Sequence, residues 1–338
     1  MDPCMQRALM FVGAVIGAGF ASGREVVSFF SAYGVYSWGM ILLSVGTMAA
    51  LCTLCLKRAK GTEGCRWCAI YYSNSLLVRN LAEGCILLLQ IIMGGSMISA
   101  AGHIFALALP MQYAYLLGAG VTIALAMLLG NANLKPMAAL SSLLAASFVA
   151  AVVALLIFDG SDQPVISMPP VSGREAAQGV LRAVAYAAMN LTISIGMICR
   201  CGDCSCRSSN RSSVLFGLLM TGLLFVSNYL YLKHPELHKV TFPMVALLAR
   251  FGRAGHMVSL TLMYLAILTT LSAGLYALRT GLEVRVSKPT AICLTVLLPM
   301  AVSFAGFENL VDRWYAPVGL LCLLLVFVPL LNRRENRT

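Results

Sequence analysis

The stretch Gly13–Val27, GAVIGAGFASGREVV, decides how this chain is read, because it places Gly17, Gly19, Ser22, Gly23, Arg24 and Glu25 inside the first long apolar run. Two readings compete. A secretory signal has a basic start, a short apolar core and a small-residue cleavage site, and Arg7 followed by Ala18–Ser22 fits that outline. However, the apolar character resumes after Gly23 and continues to Phe30, which suits a spanning helix that is interrupted, not cleaved.

Composition supports the second reading. Of the 338 residues, 59% are hydrophobic and only 11% charged, and the mean hydropathy is +0.85, outside the range of soluble domains. Runs long enough to cross a bilayer, about 20 residues each, occur near 8–32, 36–56, 81–107, 113–130, 136–157, 175–198, 213–232, 254–279, 289–305 and 314–332. Ten transmembrane helices are therefore expected in an all-α polytopic membrane protein, since these runs are too long for the alternating strands of a barrel.

With ten spans, placing the N-terminus inside puts about twice as many Lys and Arg on the cytoplasmic side as on the outer side. Lys57, Arg58, Lys60, Arg66 and Arg79 cluster in one inner loop, and Arg333, Arg334 and Arg337 follow the last span. Both termini are expected to be cytoplasmic and the chain to be integral to the plasma membrane. The net charge of +11 then reflects topology beside anionic lipid, and no nucleic-acid partner is expected.

Five runs precede the connector DGSDQPVISMPPVSG, Asp159–Gly173, and five follow it. An odd number per half inverts the second half relative to the first, so residues 1–158 and 174–332 are read as two inverted repeats of one transport domain, 1–338. Transporters of this organisation bind solute at the midplane, at interruptions in corresponding helices. Span 6, which carries Tyr186, Asn190, Thr192, Ser194 and Gly196, is accordingly expected to break as span 1 does. An asparagine there also fits simple hydrogen bonding between helices.

GAVIGAGFASGREVVSFF resembles the first-helix signature of the YkvI-type membrane proteins of the amino acid–polyamine–organocation superfamily. AVAYAAMN (183–190) and YLAILTTLSAGLYAL (264–278) resemble patterns of the same family. The resemblance implies a LeuT-like fold, with a 5+5 inverted repeat and broken helices 1 and 6. It also implies a secondary active transporter, a symporter-like permease for a small amino-acid-like solute. Similarity to sodium-coupled members places a cation between Gly13 and Ile16 on span 1 and Ala266, Thr269 and Thr270 on span 8. It places substrate at Ala18, Gly19, Phe20 and Ser22, with Tyr186 and Asn190 opposite and Gln90 of span 3 as a further wall.

Taken alone, Thr269 and Thr270 equally fit hydroxyls bonded back to their own helix. For Arg24 and Glu25 the readings are a gate with a proton carrier, or a pair at the interface. Sodium is the expected coupling ion; protons are the alternative, and span 5 contains no lysine that would serve them. His103 is either a packed ring or a relay. CRCGDCSC holds Cys199, Cys201, Cys204 and Cys206 at spacings that suit a thiolate metal site or equally a reduced loop. A sensor with a transporter fold is the rival function. No HExxH, P-loop or paired acids at depth are present, so an enzyme is not expected, nor is any cofactor.

Overall fold

The computed structural model describes residues 3–58, 75–130, 134–158, 172–200 and 206–331, and among these the chain is helical throughout, with no strand. The first apolar run is three pieces: α1 (Pro3–Val15), α2 (Ala18–Ser22) and α3 (Arg24–Phe29). A short 3-10 turn, Ser31–Tyr36, leads into α4 (Ser37–Arg58). Then follow α5 (Leu76–Ala108), α6 (Ala114–Gly130), α7 (Leu134–Phe158), α8 (Gly173–Arg200) and α9 (Cys206–Lys233). A 3-10 turn at Pro235–Lys239 and the short α10 (Pro243–Ala249) precede α11 (Gly252–Leu282), α12 (Lys288–Ser303) and α13 (Phe307–Leu331).

Six segments are long and apolar enough to cross a membrane, namely Ser31–Arg58, Leu76–Ala108, Leu140–Phe158, Ser209–Lys233, Gly252–Leu282 and Phe307–Leu331. Cys4–Val15, Ala114–Gly130 and Lys288–Ser303 are apolar but shorter. The chain is thus a multi-pass helical membrane protein. The expected span at 175–198 lies in α8, which carries Arg174, Glu175 and Arg182 in its first half and buries Asn190, Thr192 and Ser194 inside the bundle. α8 packs along α4 and α13, α1 along α7 and α9, and α5 along α6, α11 and α12.

The interruption expected in span 6 is absent: α8 runs unbroken from Gly173 to Arg200. Its polar residues reinforce the helix. Asn190 Nδ2 donates to the Tyr186 carbonyl at 3.0 Å, Thr192 Oγ1 to Ala188 at 2.7 Å and Ser194 Oγ to Asn190 at 2.9 Å. Each bond returns to the preceding turn, the usual resort of hydroxyls and amides in apolar surroundings. Without proline, a lone glycine at 196 costs only about 1 kcal/mol relative to alanine, which packing on two neighbouring helices offsets.

The first helix does break, twice. At Gly17 the backbone is extended, φ −90° and ψ −173°, and the Gly17 N–H turns back to Val15 O at 2.7 Å. At Gly23 the backbone is left-handed, φ 85°, a conformation open to glycine at little cost. Ser22 Oγ secures this second corner by donating to Gly19 O at 2.9 Å and accepting from Arg24 N–H at 3.2 Å. α13 carries two π-helical turns, Leu310–Trp314 and Leu323–Phe327.

Candidate functional site

The two breaks of the first helix leave peptide groups outside the helical ladder. Among the described residues, the Gly13 and Ile16 carbonyls receive no backbone N–H, and the Gly19 and Phe20 amides find no backbone carbonyl. Ile16 and Phe20 are buried, so these groups lie away from bulk water, where an unpaired peptide group is costly. Such a segment is suited to meeting a polar ligand.

Side chains facing the breaks are also short of partners. A Cβ placed on Gly17 would sit 3.3 Å from Thr270 Oγ1 and 3.2 Å from Met97 Cε, so α11 and α5 close on the first break. Thr270 Oγ1 is buried without a hydrogen-bond partner. Thr269 differs: its hydroxyl donates to the carbonyls of Leu265 at 3.1 Å and Ala266 at 3.0 Å in its own helix. Ala266 is buried beneath them. Gly13 serves close packing as well, since a Cβ there would overlap Ser141 O of α7.

Around the second piece, Gly19 lies so close to Glu25 that an added Cβ would overlap the carboxyl group. Tyr186 of α8 is buried between Phe29 and Phe30, with ring centroids at 5.2 and 5.1 Å, and its hydroxyl has no partner of good geometry. Phe20 turns its ring to Phe148 of α7 at 5.4 Å. Ser22 is engaged in the local turn already described, and Asn190 commits its amide to Tyr186 O. Of Ala18, the backbone heads α2. Gln90 stands beside Gly274 of α11, 3.0 Å from a Cβ built there, one helical turn along α11 from Thr270, or about 6 Å.

Arg24 and Glu25 part company. Arg24 forms an ion pair with Asp312 of α13, and its Nη1 donates to the carbonyls of His238 at 3.2 Å and Val240 at 3.1 Å. Glu25 turns into the bundle and is 1% exposed. Arg24 and Glu25 therefore do not pair with each other. Arg182 of α8 braces the same region by donating to Ser28 O at 3.0 Å and Asp312 O at 3.3 Å.

Sequence reasoning placed Ser96 in the span 3 wall with Gln90 and Gly94, and missed Asp312, Arg182 and Tyr315. Tyr315 and Ser96 hydrogen-bond across α13 and α5. The signal available was the run DRWY, Asp312–Tyr315, charged residues at the head of an apolar segment; only the π turn at Leu310–Trp314 shows that Asp312 swings toward α3. π turns recur at functional sites. His103 is exposed and packs edge-on against Tyr115 and Phe242, at 5.4 and 6.5 Å. Cys201 and Cys204 lie outside the described residues, as do the side chains of Cys199 and Cys206. Among the described residues no cluster of metal ligands occurs.

Outside the membrane-spanning segments, desolvation is the largest influence on Glu236 and opposes its ionisation. The hydrogen bonds from its own backbone N–H and from Arg250, with His234 and Arg250 nearby, nevertheless hold its carboxyl below the usual range. His238 is pushed below its ordinary 6.5, first by burial and then by the Arg24 charge. Its Nε2 meets Tyr231 O at 3.0 Å, a bond that favours the protonated ring and only partly offsets the burial.

No family model matches the chain. It is 24% identical over 349 aligned residues to the uncharacterized membrane protein YkvI of Bacillus subtilis (strain 168), covering 98% of this chain and 96% of that one. The similarity runs along nearly the whole length of both chains and sets no residue's role.

Proposed function

We propose that the chain is a secondary active transporter of a small amino-acid-like solute, working by alternating access in the plasma membrane. The observation that carries this reading is the doubly broken first helix. Buried at the centre of a helical bundle, it presents unpaired carbonyls at Gly13 and Ile16 and unpaired amides at Gly19 and Phe20, opposite the partnerless hydroxyls of Thr270 and Tyr186. Irregular backbone at membrane depth persists where it lines a cavity or a ligand site.

Helix pairing supports a five-plus-five arrangement. Exchange the first five segments, headed by α1, for α8, α9, α11, α12 and α13 in order. The contacts of α1 with α7 and α9 become those of α8 with α13 and α4; α5 with α6 becomes α11 with α12; α6 with α11 becomes α12 with α5; α7 with α11 becomes α13 with α5. All of these pairs are in contact. In this reading residues 1–158 and 174–332 are the repeats, both termini are cytoplasmic, and the second repeat contributes side chains from an unbroken α8.

The solute's carboxylate is assigned to the Gly19 and Phe20 amides and its remaining polar group to Tyr186. Sodium is assigned to the Gly13 and Ile16 carbonyls and Thr270 Oγ1, neutral oxygens suited to a hard cation. The Arg24–Asp312 pair serves as the outer gate.

The test is uptake of labelled L-amino acids into proteoliposomes under a sodium or proton gradient, for wild type and Gly19→Leu, whose side chain must displace Glu25. Accumulation by wild type and its loss in the variant is the expected result. Unchanged uptake by Gly19→Leu would remove the site assignment. A sensor would instead show ligand-dependent stabilisation with no flux.

A further inference from the structure

Glu25 is the one carboxyl group in the interior of the described bundle, and nothing assigned above explains it. It opens α3 beside Arg24, yet Arg24 reaches outward to Asp312 while Glu25 lies 1% exposed against the backbone of Gly19. Its Oε2 has no hydrogen-bond donor. Among the described residues no lysine, arginine or histidine forms an ion pair with it.

The groups facing it are phenols. Tyr186 of α8 and Tyr315 of α13 are its electrostatic neighbours, and Tyr315 is already bonded to Ser96 of α5. From α9, Tyr231 lies against Gly23, two residues away, and the His238 ring is bonded to the Tyr231 carbonyl. The nearby cations are engaged elsewhere: Arg24 with Asp312, and Arg182 with Ser28 and the Asp312 carbonyl.

An ionised carboxylate enclosed without a cation is among the most expensive arrangements in a membrane protein. A metal cation or an organic ammonium would need several ligands and room beside the carboxylate, and the Gly19 backbone leaves none on that side. A proton needs no volume. It converts the carboxylate into a donor, for which the Tyr186 oxygen is the nearby acceptor.

We propose that Glu25 binds the coupling proton of this transporter, –COO⁻ + H⁺ → –COOH. The proposal rests on the transport reading above. With the Arg24–Asp312 pair parted, Glu25 is reached by water from that side and takes up a proton. The neutral carboxyl is then buried as the pair closes, and the proton leaves to water when the bundle opens at its other end. No oxidant or other co-reactant takes part. Protonation thereby favours the closed state by as much as that state disfavours the charged carboxylate.

The test has two arms on the full-length protein in lipid. Infrared difference spectra are recorded as the pH is lowered from about 9 to about 5, a window that covers shifted carboxyl groups, in sodium and in potassium chloride. The expected result is a protonated-carboxyl stretch that grows in wild type in both salts and is missing in Glu25→Gln. Titration of His238 in that window leaves the carboxyl region unchanged. No titrating carboxyl, an identical band in Glu25→Gln, or a band that sodium abolishes overturns the proposal.

In the second arm, uptake of a mixture of labelled L-amino acids is driven by an imposed pH gradient. Glu25→Gln is expected to fall to the level of protein-free liposomes while still exchanging solute at equal pH. Accumulation driven by sodium alone, equal in wild type and Glu25→Gln, overturns the proton assignment and leaves transport intact. A carboxyl that titrates in a protein that accumulates none of the mixture supports the proton site and removes the transport reading.

Discussion

Replacing Gly23 by alanine tests the second break directly. Gly23 has φ 85°, and holding a residue with a Cβ in the left-handed region costs roughly 1–2 kcal/mol. The new methyl would also overlap the hydroxyl of Tyr231 and lie 3.1 Å from the Met244 backbone nitrogen. Tyr231 is fully buried, so its ring yields only by leaving its rotamer, at about 1 kcal/mol. Gly23→Ala should therefore destabilise by roughly 2–3 kcal/mol. The Tyr231 hydroxyl has no hydrogen-bond partner, so Tyr231→Phe alone should be nearly neutral, and in the Gly23→Ala background it should recover about 1 kcal/mol. Gly23→Asn should cost less than Gly23→Ala, because asparagine tolerates the left-handed region. The assay is unfolding of the four cycle members in one detergent at one pH. A Gly23→Ala variant within about 0.5 kcal/mol of wild type, or a coupling to Tyr231 below about 0.5 kcal/mol, would refute the argument that this glycine is required by backbone geometry.

Three further outcomes are expected. Arg24→Ala and Asp312→Ala should each open the outer end and raise labelling of a cysteine placed at Ser22. The double variant should be no worse than either single, with a coupling of about 1–3 kcal/mol; additive effects would mean that the pair is incidental. Thr270→Val should abolish selective stabilisation by sodium over potassium, which at 100 times the dissociation constant amounts to about 2.7 kcal/mol. Thr269→Val should retain that response, because its hydroxyl is bonded to Leu265 and Ala266; the reverse order would contradict the placement of the cation. His238 titrates below its ordinary 6.5 in the folded protein because of burial and then Arg24. The unfolded chain therefore binds its proton first as pH falls, so the stability that His238 contributes is complete above 6.5 and is lost as pH drops through the folded value. His238→Gln should flatten that acid limb of thermal stability, and an unchanged limb would place its origin elsewhere.

What the sequence determined by itself was the class and the first break. Apolar runs report burial in lipid independently of how helices are arranged, because a bilayer requires every backbone group to be bonded within its own segment. Glycines at 17 and 23 act on local backbone energies, so GAVIGAGFASG announces its interruptions before any neighbour is known. Span 6 shows the limit of that logic. Asn190, Thr192 and Ser194 read equally as ligands or as helix-bonded groups, and only the conformation of α8 shows that each returns to the turn before it.

Thr269 and Thr270 are adjacent and identical in type, and the tertiary structure separates them by aiming one at its own carbonyls and the other at Gly17. Arg24 and Glu25 are likewise adjacent, and a sequence cannot say whether neighbouring opposite charges pair. Their fates depend on Asp312, 288 residues away in sequence, which a π turn brings to Arg24, leaving Glu25 to the interior. Partners so distant along the chain are chosen by how helices pack, and that choice is a property of the whole bundle.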